Sequence, residues 1–315
     1  MIVLTVEPPA GLAGAGYANP KEWCMEPFDY VAPRTLSDAM AALNDGRRTL
    51  MLAGGTDLII QLREGRRQCD QVLDLKHIPE MMALRFSPDG SLEIGAAVPL
   101  AAIYEHPEIR GNFPALVDAA SIIGGTAVQS RASLGGNLCN ASPAADSPPA
   151  LMVLGATVVI ASPAGTREIP VEDLFAGPGQ NSLQPGELMV SVRVPAQPAR
   201  SAAFYHRFIP RNEMDIAVAS AGVRIQLASD GATIADARVA LGAVAPTPIL
   251  VPAAGAALIG RPPGPAAFAA AGEAAAKAAT PIDDMRGGIA QRKHLAKILT
   301  IRALEGALAR LGEAN

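Results

Sequence analysis

Cysteine, histidine and aromatic side chains are all scarce in this sequence of 315 residues. It has 3 cysteines and no Cys-x-x-Cys pair, so a disulfide framework or a cluster ligated by this chain is not expected. The 4 histidines show neither His-x-x-x-His nor His-Glu-x-x-His spacing, which a helical metal site would need. Aromatic residues make up 4%, too few to predict a stacking platform for bases. Any metal or iron–sulfur chemistry is therefore expected on another chain.

The sequence also lacks a strong excess of one charge and any long apolar run. Its formal net charge is −4 and it has no long basic run, which argues against nucleic-acid binding. No stretch approaches the roughly 18 uninterrupted apolar residues that suggest a membrane span. The first apolar run ends at Val6, has no basic residues before it and is too short for a signal peptide. We therefore expect a cytoplasmic protein without a membrane span.

The composition that remains is typical of a globular protein with a substantial core. Hydrophobic residues make up 50% and charged residues 18% of the chain, and its length suggests about two domains. Residues 1–24 are rich in glycine and proline and are predicted to form an extension, and PAQPAR at 195–200 is predicted to be a linker. Strands are predicted at 49–53, 72–75, 92–94, 157–161, 187–194, 216–227 and 233–244. The last two are predicted to form a hairpin with its turn at Ser229-Asp230-Gly231. A helix is predicted at 35–43, with Thr35 or Ser37 as its possible N-cap, and a helix or turn at 57–63. Further helices are predicted at 99–110, 115–122, 148–154, 265–279 and 288–311.

A first Gly-Gly turn lies in Ala53-Gly54-Gly55-Thr56-Asp57, between a predicted strand and a predicted helix. Exposed N–H groups at such a position favour an anion such as a phosphate. A plain tight turn explains the same residues, because glycine pairs are common in turns. The segment matches neither Gly-x-x-x-x-Gly-Lys-Ser/Thr nor Gly-x-Gly-x-x-Gly, so neither a P-loop nor a standard dinucleotide fingerprint is indicated.

A second Gly-Gly turn is predicted in Ser133-Leu134-Gly135-Gly136-Asn137. Glycine lets backbone approach a ligand closely, and the serine and asparagine side chains add hydrogen-bonding groups. Asp146 follows nine residues after the asparagine. Its carboxylate is a candidate acceptor for ribose hydroxyls, or alternatively the cap of the helix that begins near Pro148.

Four other reactive side chains receive plainer interpretations. Cys139 has no activating base nearby in the sequence, so packing is the favoured role. His206 either faces a ligand or ends a polar strand. Glu213 and Asp215 are interpreted as part of a turn that leads into a strand, and not as a catalytic carboxylate pair.

Several separate motifs, in order along the chain, carry a resemblance to a known family. The chain resembles the FAD-binding medium subunit of the molybdenum hydroxylases, the family of xanthine dehydrogenase and carbon monoxide dehydrogenase, over about residues 25–312. The motifs are MEPFDY at 25–30, AGGTDL at 53–58, SLGGNLCNASPAAD at 133–146, RNEMDIA at 211–217 and LGAVAPTP at 241–248.

The resemblance implies an α+β fold with two domains. The first, 25–199, is an FAD-binding domain of the PCMH/vanillyl-alcohol-oxidase-like type, with two α/β subdomains at about 25–76 and 77–199. The second, 200–315, is a C-terminal α+β domain of the carbon monoxide dehydrogenase flavoprotein type. FAD is expected to lie extended between the two subdomains of the first domain.

The resemblance also implies which residues hold FAD, and it implies no catalytic residue and no metal ligand on this chain. Leu134 is expected to rest against the isoalloxazine, with Ile123 and Met189 lining the cleft. Arg207 stands eight positions before Asp215, where many relatives carry lysine; arginine keeps the charge but is a planar fork. The residues expected to bind FAD are Leu52, Ala53, Gly54, Gly55, Thr56, Asp57, Ile123, Ser133, Leu134, Gly135, Gly136, Asn137, Asp146, Met189 and Arg207.

The function implied by the resemblance is electron transfer within a complex. A large partner subunit with molybdopterin oxidises the substrate, a small partner subunit with two [2Fe–2S] clusters relays the electrons, and FAD on this chain passes them to an external acceptor. The complex is expected to be a heterotrimer doubled into a heterohexamer. The main alternative is a self-sufficient FAD-dependent reductase or oxidase, although no fingerprint for NAD(P)H supports it. A second alternative is a protein that holds a nucleotide without redox work.

Overall fold

The N-terminal part of the fold is a small parallel sheet with helices between its strands. The structure is a computed structural model that describes residues 25–313; the predicted extension 1–24 lies outside the described residues. The sheet has the order β1-β3-β2, with both strand pairs parallel, which confirms the predicted strand–helix–strand unit. The elements are β1 (Asp29–Val31), α1 (Leu36–Leu43), β2 (Thr49–Leu52), α2 (Leu58–Arg63) and β3 (Gln71–Asp74). Helix α1 begins as its sequence predicts, because the Thr35 side chain accepts a hydrogen bond from the Asp38 N–H.

A five-stranded antiparallel sheet forms the middle of the fold, in the order β4-β5-β10-β6-β7. Its elements and one short hairpin are β4 (Leu84–Phe86), β5 (Leu92–Gly95), β6 (Thr157–Ser162), β7 (Gly165–Pro170), β8 (Phe175–Gly177), β9 (Gln180–Asn181) and β10 (Leu188–Val194). The central strand β10 is buried at every position except Arg193. Apolar residues in β10 therefore fill the core on both faces of the sheet and not on one alone.

Six short helices lie between β5 and β6: α3 (Leu100–Glu105), α4 (Pro107–Asn112), α5 (Pro114–Ala120), α6 (Thr126–Gln129), α7 (Leu134–Asn140) and α8 (Ser147–Leu154). The predicted helix at 99–110 is in fact two helices. His106 is extended, with ψ 118°, because the ring of Pro107 disfavours helical backbone in the residue before it. All eight residues of α8 are buried.

The C-terminal part is a four-stranded antiparallel sheet in the order β11-β12-β13-β14, with three helices. The elements are β11 (Ser201–Phe208), β12 (Ala219–Leu227), β13 (Ile234–Gly242), β14 (Ile249–Leu250), α9 (Pro252–Ala256), α10 (Pro265–Ala278) and α11 (Ile289–Glu313). The hairpin predicted at Ser229-Asp230-Gly231 joins β12 to β13, and Gly231 has φ 72° there. Strand β11 was not predicted.

Helix α8 joins the middle part to the C-terminal sheet. It packs on β12 and β13, on the face opposite to α11. A Cβ added to Gly222 of β12 would lie 2.6 Å from the carbonyl oxygen of Pro149, and one added to Gly242 of β13 would lie 3.1 Å from the Pro149 ring. These two glycines are therefore needed for the close approach of α8.

Candidate functional site

A cleft of about 410 Å³ lies between the N-terminal part and the middle part of the fold. One wall comes from α2 and the residues around it, and the other comes from the segment after α7 and from the β8–β9 hairpin. The lining residues are Asp57, Ile60, Gln61 and Arg66 on the first wall, and Asn140, Ser142, Pro143 and Gly179 on the second. Apart from Asp57, none of them was among the predicted site residues, although each follows one of the Gly-Gly motifs or lies in a hairpin loop.

The loop from Gly54 to Asp57 borders this cleft and carries unused hydrogen-bond donors. Its backbone N–H groups donate to no acceptor among the described residues. Gly55 has φ 77°, a left-handed conformation that favours glycine. Successive free N–H groups in such a turn form a concave anion site. The loop is therefore suited to a phosphate, as its sequence suggests.

Gly54 allows the two parts of the fold to touch beside the cleft. A Cβ added to Gly54 would lie 1.9 Å from the carbonyl oxygen of Arg131 and 2.9 Å from the Cα of Ala132. The neighbour that excludes a side chain at this position is thus protein backbone, and not only a ligand. The first motif is held directly against the segment that leads into the second.

The second motif forms the start of helix α7, so the predicted Gly-Gly turn is wrong. Ser133 caps the helix, because its Oγ accepts a hydrogen bond of 3.1 Å from the Gly136 N–H. A Cβ added to Gly135 would lie 2.5 Å from Ala96, so this glycine allows α7 to lie against the end of β5. The Asn137 Oδ1 accepts a hydrogen bond of 2.6 Å from the Ser147 hydroxyl, which fixes the asparagine to α8.

Leu134, which was expected to rest against the isoalloxazine, and Met189, which was expected to line the cleft, both lie in the protein core. Leu134 is 0% exposed and Met189 is 2% exposed, so neither side chain offers a surface on which a ring can rest. The Met189 Sδ lies 3.5 Å from the Cys139 Sγ. Cys139 is half-buried and packs against the core, as predicted, and desolvation raises the pKa of its thiol to about 12. Ile123 is half-buried at the edge of the core.

Asp146 is buried, and both of its carboxylate oxygens are bound by donors from β11. Oδ1 accepts a hydrogen bond of 2.6 Å from the Tyr205 hydroxyl, and Oδ2 accepts one of 2.7 Å from Nη1 of Arg207. Burial raises the pKa of Asp146 to about 6, against the opposing effects of the Arg207 charge and the two hydrogen bonds. Asp146 stands at the N-cap position of α8, as predicted, but its carboxylate makes no capping bond to that helix.

Arg207 bridges two segments that come from different parts of the chain. Besides binding Asp146, it donates from Nη2 to the carbonyl oxygen of Ile122 at 2.8 Å. Only 6% of its side chain is exposed. Tyr205 and Arg207 are two residues apart on β11 and therefore share one face of the strand, where both reach Asp146. The planar guanidinium directs its two terminal nitrogens at these two acceptors, an arrangement that the single ammonium nitrogen of a lysine does not reproduce.

A further ion pair holds β11 in place, and sequence reasoning missed it. The Asp118 carboxylate on α5 accepts hydrogen bonds of 2.8 and 2.7 Å from both terminal nitrogens of Arg310 on α11. The same carboxylate accepts the backbone N–H of Tyr205 at 3.1 Å. The Arg310 guanidinium also lies 4.3 Å from the ring centroid of Phe204. No local pattern indicates this contact, because its partners are 192 positions apart.

The RNEMDIA segment forms a loop before β12, as predicted. Asp215 accepts a hydrogen bond of 3.1 Å from Nε of Arg211, which lowers the pKa of this carboxyl. Among residues 25–313, no group of three His, Cys, Asp or Glu side chains is placed to hold a metal ion. In the same range, no helix combines the length and apolar character needed to cross a membrane.

Family models match both parts of the chain. The model for the FAD binding domain in molybdopterin dehydrogenase matches residues 26–197, and that for the CO dehydrogenase flavoprotein C-terminal domain matches residues 204–307. The chain belongs to the family of FAD-binding medium subunits of molybdenum hydroxylases. The family resemblance, the α+β fold class, the FAD cofactor and the assignment to the oxidoreductases are thereby confirmed.

Relatives of known identity match this family member over most of their length. The xanthine dehydrogenase FAD-binding subunit of Escherichia coli O157:H7 is 31% identical, with 90% of this chain and 98% of the relative covered. The carbon monoxide dehydrogenase medium chain of Hydrogenophaga pseudoflava is 30% identical over the same shares. A solved structure of that organism's carbon monoxide dehydrogenase has a TM-score of 0.87 at 30% identity, covering 91% and 99% of the two chains. Quinoline 2-oxidoreductase from Pseudomonas putida 86 has a TM-score of 0.85 at 28% identity over the same shares.

The observed residues fit FAD. An FAD molecule carries a diphosphate that needs several hydrogen-bond donors, and the loop from Gly54 to Asp57 offers free N–H groups beside a cleft. Gln61, Asn140 and Ser142 add polar side chains along the same cleft. The position of each part of the cofactor among the predicted site residues remains a prediction, except for the buried Leu134 and Met189 side chains.

Proposed function

We propose that this chain carries FAD for electron transfer in a molybdenum hydroxylase complex. Electrons come from [2Fe–2S] clusters in a small partner subunit, after a large molybdopterin subunit has oxidised the substrate, and they leave to an external acceptor. The observation that carries the proposal is that two family models, in order, cover nearly all of the described chain. Both named relatives above are subunits of dehydrogenases, one a medium chain and the other an FAD-binding subunit.

The proposed role of the chain's own residues is to bind and orient the cofactor. The loop from Gly54 to Asp57 donates its N–H groups to the diphosphate, and the Thr56 hydroxyl is a further donor. Asp146 forms an ion pair with Arg207, and we place the carboxylate toward the sugar-phosphate or the ring end of the flavin, as the resemblance implies. Bound FAD supplies the electron-carrying chemistry, so no general base is assigned to this chain.

We propose that the boundary between the two domains lies in the segment that connects β10 to β11. An FAD-binding domain at 25–199, with subdomains at about 25–76 and 77–199, is followed by a C-terminal domain at 200–315. Support comes from the segment between β10, which ends at Val194, and β11, which begins at Ser201. We also propose a cytoplasmic heterohexamer, built from two copies each of the large, medium and small subunits.

Two measurements on material from the native host test this function. Gentle affinity purification of the chain, with mass spectrometry of the chains that copurify, is expected to find one large molybdopterin subunit and one small iron–sulfur subunit in equal ratio. Adding the substrate of that complex without oxygen is expected to bleach the visible flavin absorption of the complex, but not that of the isolated chain.

Two outcomes would replace the proposal with an alternative. A lone yellow protein that turns over NAD(P)H without partners would show a self-sufficient reductase or oxidase. A bound flavin that dithionite reduces, but that takes electrons from no partner, would show a binding protein without redox work.

A further inference from the structure

Lys76 lies directly behind the loop that borders the cleft, and it was not among the predicted site residues. It belongs to the single helical turn that follows β3. Its Nζ donates to the carbonyl oxygen of Ala53 at 2.8 Å and to Oδ1 of Asp74 at 2.6 Å. Ala53 is the residue immediately before Gly54. The ammonium group therefore holds the first peptide unit of the loop.

Asp74 provides a fixed anchor for this lysine. It is 3% exposed and accepts hydrogen bonds from the Lys76 Nζ, from the Lys76 backbone N–H at 3.0 Å and from the Tyr30 hydroxyl. Burial alone raises the pKa of Asp74, but the bonds from Lys76 and Tyr30 outweigh it and the pKa is lowered. The carboxylate is therefore charged at neutral pH, and its donors keep it in one orientation.

The geometry of the peptide bond transmits this restraint to Gly54. The described residues contain no cis peptide bond. In a trans peptide the carbonyl and the N–H lie in one plane and point in opposite directions, and this holds for the Ala53 carbonyl and the Gly54 N–H. When Lys76 holds the carbonyl on its side, the N–H of Gly54 must face away from Lys76. Glycine allows many backbone conformations, so without this contact the same peptide is free to rotate. The Gly54 N–H has no acceptor among the described residues.

We infer that Lys76 is a positioning residue of the FAD site, which orients the Ala53–Gly54 peptide so that its N–H is presented to the diphosphate. The inference rests on the proposed location of the diphosphate beside this loop. Lys76 acts through the peptide and not as a free cation, because Asp74 already neutralises its charge at contact distance. An effect through the peptide is independent of salt, whereas the effect of a free charge is screened.

The test is a fluorescence titration of the FAD-free full chain with FAD at low and at high salt. Lys76→Met is expected to raise the Kd for FAD about tenfold, because a hydrogen-bonded diphosphate contact is lost. The increase is expected to be the same at both salt concentrations, and Lys76→Arg is expected to recover most of the affinity. Lys297→Met is the matched control, since it breaks a lysine–glutamate pair between α10 and α11, and its Kd is expected to stay unchanged.

A second variant covers the case in which Lys76→Met does not fold, since that change leaves Asp74 buried and unpaired. Asp74→Asn combined with Lys76→Met removes both charges, and it is expected to show the same loss of affinity. An unchanged Kd in the variant that folds overturns the inference, and so does a loss that disappears at high salt.

A change within the loop separates this inference from the proposed FAD location. Thr56→Asp places a negative charge beside the diphosphate and is expected to raise the Kd strongly, and by more than the neutral Thr56→Asn, which replaces only the hydroxyl donor. If Thr56→Asp leaves the Kd unchanged, the proposed location fails. If Thr56→Asp weakens binding but the Lys76 variants do not, only the role of Lys76 fails.

Discussion

Replacing Arg207 with methionine will leave the buried Asp146 carboxylate without its one cationic partner among residues 25–313. In the unmodified chain the pKa of Asp146 is raised to about 6 by burial, even though the arginine charge opposes the increase. Without Arg207 the pKa rises further, and the folded variant keeps a proton on Asp146 at neutral pH. The unfolded chain loses that proton near the ordinary pKa of an aspartate, about 4.

The expected size of the effect follows from this difference in bound protons. Well above pH 6 Asp146 of the unmodified chain is ionised both folded and unfolded, so the stability of that chain no longer changes with pH through this group. The folded variant binds one proton more than its unfolded form, so its free energy of unfolding falls by about 1.4 kcal/mol for each pH unit. The unmodified chain itself loses about 0.4 kcal/mol over the same range, because Asp146 is still half protonated at pH 6. Between pH 6 and 8 the gap between the two chains therefore widens by about 2 kcal/mol, as long as the pKa of Asp146 in the variant lies above this range.

Urea denaturation of the FAD-free chain, followed by far-ultraviolet circular dichroism at pH 6, 7 and 8, measures this gap. Combining Asp146→Asn with Arg207→Met removes the titrating group, so the double variant is expected to differ from the unmodified chain by a constant amount at all three pH values. A constant gap for Arg207→Met alone would refute the reasoning, because it would mean that the Asp146 carboxyl does not respond to the arginine charge.

Three further substitutions or treatments test other contacts. Gly54→Ala is expected to lower both the melting temperature and the FAD affinity, because its Cβ would lie 1.9 Å from the backbone of Arg131. Gly111→Ala is the control: its Cβ meets nothing within 4 Å, so it is expected to stabilise α4 slightly. Equal melting temperatures of the two variants in calorimetry would contradict this prediction. Arg310→Met is expected to reduce the free energy of unfolding by about 1–2 kcal/mol, because the hydrogen bonds to Asp118 are lost. A change near zero in urea denaturation would show that this ion pair does not stabilise the fold. Cys139 is expected to react with iodoacetamide at pH 8 much more slowly in the native chain than in the denatured chain. Equal rates, followed by peptide mass spectrometry, would contradict its packing against the core and its raised pKa.

The parts of the fold that were predicted correctly are those in which the signal is local. The cap at Thr35, the glycine in the turn at Gly231 and the strand–helix–strand unit around Gly55 are each determined by a few neighbouring residues. The first motif was likewise read correctly as a turn between a strand and a helix. Local backbone preferences suffice for such features, because no distant contact opposes them.

The second motif was misread because two local signals compete there. Two adjacent glycines are poor helix formers and favour a turn. In the structure, the Ser133 cap and the packing of Gly135 on Ala96 stabilise the helix instead. The same packing turns Leu134 into the core, which its apolar character alone does not distinguish from a contact with the flavin. The helix preference therefore comes from tertiary contact, which the sequence does not display.

The C-terminal part contributes directly to the arrangement around the cleft and the buried carboxylate. Strand β11 supplies both donors to Asp146, and the Arg310–Asp118 pair holds that strand against α5. The cleft wall is also hydrogen-bonded to the C-terminal part, because the carbonyl oxygen of Pro143 accepts a hydrogen bond of 2.7 Å from the Ala243 N–H. A chain cut between β10 and β11 would lose these donors and leave Asp146 as an unpaired carboxylate. The C-terminal part therefore fixes both Asp146 and a wall of the cleft, and the proposed FAD site requires both parts of the chain.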